Sequence, residues 1–153
     1  MQTFIYRLHQ GVAVLGAIMT LAALIKLMRG IAQKQSYDTV TQRIMLAFSA
    51  LISAQWLVGI ALLIALGNFA SGPFWSHAGA MTLAVGISYL PNLWRRSDDL
   101  VRYRRSLLVV MAVLVLVVIG IAFLRPSLLG VMAVLALVVI GIAFLVSGWY
   151  KKR

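Results

Sequence analysis

No cysteine and no glutamate occur anywhere in the 153 residues, and the acids number three, Asp38, Asp98 and Asp99. Without thiols there can be no disulfide, iron–sulfur cluster, thioether-attached haem or thiolate chemistry. All three acids fall between the apolar runs, so no carboxylate lies within such a run to carry a proton or hold a coupling ion. That argues against a pump or an ion-coupled transporter. Walker loop, dinucleotide fingerprint, hydrolytic triad and zinc-protease motif are all missing. The two histidines, with neither cysteine nor nearby carboxylate, make an incomplete zinc site.

Apolar residues are abundant instead. Hydrophobic residues make up 63% of the chain against 11% charged, and the mean hydropathy is +1.00. Those values lie far outside the range of a water-soluble domain and indicate an integral membrane protein. A bilayer core of roughly 30 Å needs about 20 apolar residues in a helix. Five runs meet that need: about Phe4–Leu27, Ile44–Leu66, Phe74–Trp94, Ser106–Leu124 and Ser127–Trp149. The expected fold is an all-α antiparallel bundle of four transmembrane helices (residues 1–126) plus a fifth C-terminal one (127–153) with a basic tail. The connection Gly30 to Gln42 has loop composition, and Asp38 or Thr39 is placed to cap the second helix.

The last two runs are near copies. SLLVVMAVLVLVVIGIAFL from Ser106 returns 21 residues later, from Ser127, with changes only at Val109/Gly130 and Val115/Ala136. Similarity that close reads as a tandem duplication of one helix. Arg125 and Pro126 interrupt the run, favouring a hairpin of two spans over one long helix.

A net charge of +11 could point to nucleic acid, but the cations sit beside and between the apolar runs instead of on one water-facing surface. They read as topology signals. With five alternating spans, Lys26, Arg29, Lys34, Arg43, Arg95, Arg96, Arg102, Arg104, Arg105, Lys151, Lys152 and Arg153 fall on one side, and Arg7 and Arg125 on the other. Twelve against two predicts an external amino terminus and a cytoplasmic carboxyl terminus in a multi-pass membrane protein.

His9 lies near the start of the first span and His77 near the start of the third, so both imidazoles are expected at one depth, about a turn below the outer interface. Val12, Ala13, Gly16 and Thr20 share a face with His9; Ala80, Met81, Ala84 and Ser88 share one with His77. These faces are mostly small, leaving room between helices for a flat macrocycle. The pair is a candidate set of axial ligands for haem b, or for another planar pigment such as a chlorin. The second ring nitrogen of each is expected to donate to the carbonyl one turn back, Ile5 or Pro73. Arg7 and Arg125, the cations on that side, are candidate partners for the propionates, or else sit among lipid headgroups. Either histidine alone also reads as an amphipathic residue at the interface.

Residues 1 to about 126 resemble a group of small bacterial four-helix membrane proteins described as cytochrome b-like. The likeness rests on Leu8–His9, on His77 with Met81 and Leu83–Ala84–Val85, and on the Arg102–Tyr103–Arg104–Arg105 lead into the fourth helix. It implies a bundle with two inward histidines that ligate haem b. The fifth helix departs from the pattern and suggests docking against other membrane-complex subunits, or a homo-oligomer. Two functions follow as expectations. One is a non-enzymatic electron-transfer protein or subunit, with a quinone as a possible electron partner. The other is a cofactor-free accessory subunit of a respiratory or photosynthetic complex.

Overall fold

The computed structural model describes residues 1–67, 69–125 and 127. Among these the chain is helical, with no strand: α1 Gln2–Ala32, α2 Thr39–Leu66, α3 Gly72–Ser88, a 3₁₀ segment Leu90–Trp94, and α4 Asp99–Leu124. The expected fifth helix, 127–153, lies outside the described residues apart from Ser127.

Three of the four α-helices, α1, α2 and α4, are long and apolar enough to cross a membrane. Each extends beyond its apolar run by a polar turn or more, because hydropathy marks only the part of a helix suited to lipid, while the hydrogen-bond ladder continues into the caps. The third helix departs from expectation in the other direction. Its apolar run reaches Trp94, but the α-helix stops at Ser88. Pro91 has no N–H for the ladder and disfavours an α conformation at Leu90, so the chain tightens into 3₁₀ geometry with Asn92 N–H bonded to the Tyr89 carbonyl at 3.1 Å. At 17 residues, α3 is ~26 Å long.

Asp38 caps α2, its carboxylate accepting the Thr41 N–H at 2.8 Å. At the far end Gly67 takes φ +63°, the left-handed conformation that closes a helix most easily with glycine.

The four helices form an up-and-down square. α1 packs chiefly on α2 and α3 on α4, and the two hairpins meet along α1–α4 and α2–α3. This leaves α1 and α3 diagonal to one another.

Packing is uneven along the bundle. At the end holding the α1–α2 connection, Ala23 and Leu27 of α1, Phe48 and Ile52 of α2, Ala84 of α3, and Tyr103, Val110 and Val113 of α4 form one buried cluster. Tyr103 is fully buried, its hydroxyl 3.1 Å from both the Thr41 hydroxyl and the Ser36 carbonyl. Its ring occupies the space in front of Gly30, where a Cβ would stand 2.2 Å from Cε1. Tyr37 packs on it at 4.8 Å between centroids and bonds Ser106, while the Arg102 guanidinium covers the outer face of Tyr37 at 4.0 Å. Ser49 donates to the Ser88 carbonyl at 2.7 Å, tying α2 to the end of α3. Among the small residues spaced four apart on α2 (Ser49 and Ser53, Ala50 and Ala54), the serines bond the end of α3, whereas Ala50 is exposed.

The opposite half holds few buried residues. None of α1 before Ala23 is buried, and Val14, Leu15, Ile18, Leu21 and Ile25 are exposed, a surface suited to acyl chains rather than water. The helices there part around a cavity.

Candidate functional site: an imidazole-lined cavity

The cavity, open along part of its wall, has a volume of about 640 Å³, within the range of small-molecule and cofactor sites. Native helix bundles pack with few voids larger than a water, so a space of this size within an otherwise apolar bundle indicates room for an occupant. It exists because Ala13, Gly16, Ala17, Gly59 and Ala78 supply too little side chain to fill it. The His9 face anticipated from helical spacing, Val12, Ala13, Gly16 and Thr20, lines this space throughout.

Both histidines are on its wall. They come from α1 and α3, the diagonal pair. Each is partly buried and rests against a glycine of the neighbouring helix in its own hairpin. A Cβ on Gly59 of α2 would stand 3.2 Å from His9 Cε1, and one on Gly120 of α4 would stand 3.1 Å from His77 Nδ1. The matched arrangement has a matched sequence context, His9–Gln10–Gly11 and His77–Ala78–Gly79.

The hydrogen bonding differs from expectation. The His9 ring turns to α2 rather than to the Ile5 carbonyl, and the Gln55 amide nitrogen sits 3.1 Å from Nε2 and 3.3 Å from Nδ1. Nδ1 of His77 is buried against Gly120 with no partner, so the Pro73 carbonyl does not receive it. The glycine notches draw both rings sideways onto adjacent helices instead.

Arg7 and Arg125 are exposed, at the same end of the bundle as the histidines, and neither lines the cavity. Their nearest chain neighbours Tyr6 and Leu124 do, which puts both cations beside its rim.

Gln55, an amide in the middle of the apolar run of α2, thus finds its partner in His9, and Trp56 beside it donates to Thr82 at 2.9 Å. Gly59 and Gly120 escaped sequence reasoning. A glycine in an apolar helix looks like any packing residue until the ring that occupies its notch is known.

Only two buried side-chain polar atoms among the described residues have no hydrogen-bond partner: Gln55 Oε1 and His77 Nδ1. Both belong to cavity-lining residues. Buried polar groups are nearly always satisfied, so their concentration here is a property of the site. No group of three or more His, Cys, Asp or Glu gathers among the described residues, so a bare metal ion would lack a full ligand set. A planar metal macrocycle, which brings its own equatorial donors and asks the protein for one nitrogen on each face, suits a two-imidazole wall. Compared with protein-family models, curated proteins and solved structures, the chain matches none.

Proposed function

We propose that the chain is a membrane haem b protein that carries electrons, with His9 and His77 as the axial ligands. The observation that carries this reading is the placing of imidazoles from the two diagonal helices on the wall of one apolar cavity. The glycine notches and the two unpartnered polar atoms support it, as does the short likeness to cytochrome b-like proteins. Haem iron, when bound, supplies a one-electron couple. The protein's own part is to hold the two rings, exclude water with aliphatic walls, and offer Arg7 and Arg125 at the rim to anionic groups.

The same reading places all four helices across a bacterial inner membrane. Nine of the eleven described cations, Lys26, Arg29, Lys34, Arg43, Arg95, Arg96, Arg102, Arg104 and Arg105, sit at the tightly packed end, and Arg7 and Arg125 at the other. The basic end is then cytoplasmic and the cavity lies in the outer half. A quinol or a partner cytochrome on that side would exchange electrons with the site.

The test is a reduced-minus-oxidised absorption spectrum of the purified chain. The wild type should give a low-spin b-type band that His9→Ala and His77→Ala each abolish. Colourless wild type from haem-replete cells would leave the cofactor-free accessory subunit as the better reading.

A further inference from the structure

The amide nitrogen of Gln55 lies 3.1 Å from His9 Nε2 and 3.3 Å from Nδ1. The other end of that amide, Oε1, is buried and unpartnered. The two ends of a glutamine amide are nearly the same shape, and which one faces a neighbour is decided by hydrogen bonding. A neutral imidazole has one N–H and one lone pair. If the lone pair of Nε2 goes to a metal, the proton is on Nδ1 and needs an acceptor. Gln55 is the side chain in hydrogen-bond reach of the ring, and its amide carries a carbonyl that can accept.

We propose that Gln55 is the positioning residue for His9: with the cofactor bound, its side-chain carbonyl accepts the Nδ1–H and holds the ring with Nε2 toward the cavity. This rests on the haem reading above. Among the described residues nothing corresponding serves His77, whose Nδ1 is buried without a partner there, so the two ligands are unequal and the His9 side is the one the protein tunes. Gln55 reaches His9 because it lies four residues, one turn, before Gly59 on α2 (59 − 55), the glycine whose notch takes the same ring.

The experiment compares wild type, Gln55→Leu and Gln55→Glu as full chains in lipid nanodiscs, reading haem retained per chain and the midpoint potential. Leucine keeps the volume and removes the acceptor. It should weaken haem retention by roughly 10- to 100-fold and raise the potential, because a less basic imidazole stabilises ferric iron less. Glutamate keeps an acceptor, and should retain haem with a potential at or below that of wild type. If Gln55→Leu leaves both quantities unchanged, or improves retention because the amide had competed for the Nε2 lone pair, the positioning role is wrong while the haem reading stands. A wild type that binds no haem overturns both. Should the leucine variant fail to fold, the glutamate potential alone decides: a value above wild type contradicts the proposal.

Discussion

Two glycines decide where the imidazoles can point. Gly59 and Gly120 each leave a notch that a histidine ring from the adjacent helix occupies, with distances of 3.2 and 3.1 Å from a Cβ position to the ring. A methyl at either site would require a shift of a few tenths of an ångström. A branched side chain would require the ring to leave. Gly59→Val and Gly120→Val should therefore keep a helical, monodisperse protein and lose most of the bound haem, while Gly11→Val, at a position off the cavity wall where a Cβ meets nothing within 4 Å, should keep the ligands in place. Haem per chain beside the circular dichroism spectrum checks this, and equal loss in all three variants would contradict it. The histidines themselves were legible as a pair at one depth, because two spans starting on the same side fix their level. Their hydrogen bonds were not legible, since which neighbour a ring turns to depends on a glycine about fifty residues away in the chain for one and about forty for the other, and no local periodicity encodes that choice.

Elements were readable wherever hydropathy and hydrogen bonding agree. α1, α2 and α4 follow their apolar runs, and Asp38 caps α2 as its position before the run indicates. α3 was read too long because a 3₁₀ segment after a proline is as apolar as the helix it ends. At the basic end the helices are joined through polar contacts that composition did not reveal: Tyr103 against Gly30, Thr41 and Ser36, and Lys26 with Asp38 at 3.4 Å. A net hydrogen bond is worth about 1 kcal/mol, so several together make this end a firm base for the looser half.

Acid should act on that base through Asp38. Hydrogen bonds from the Thr41 hydroxyl and then the Thr41 N–H hold its carboxyl below the ordinary carboxylate value, with Lys26 adding to the effect. A carboxylate depressed in the folded state stabilises fully above its unfolded pKa and loses that stabilisation as pH falls through the folded one. The thermal midpoint in detergent should hold from neutrality to about pH 5 and decline below about pH 4. In Asp38→Ala it should begin lower and decline less. An acid loss identical in the two proteins would count against this.

At the scale of the whole molecule, the bundle is two helical hairpins joined firmly at the basic end and parted at the other. The parted end holds every candidate ligand, and the firm end holds nearly all the charge. The membrane orientation proposed from that division is open to direct test, because the chain has no cysteine to mask a label. A single cysteine at Ser71, between α2 and α3, should react with a membrane-impermeant maleimide in intact cells, and one at Ser97, before α4, only after lysis. The reverse pattern would place the cavity in the cytoplasmic half. The small faces beside the histidines made room between the helices legible in the sequence, whereas its extent was not, since an empty volume depends on how four faces meet.

The central claim is that both imidazoles serve one iron. Electron paramagnetic resonance of the oxidised full chain, at low temperature, addresses it without reference to any electron partner. A single low-spin ferric species of bis-imidazole type, one per chain, is predicted, passing to a high-spin or five-coordinate signal in His77→Ala. A high-spin signal in the wild type, or a low-spin signal that survives loss of either histidine, would contradict the account.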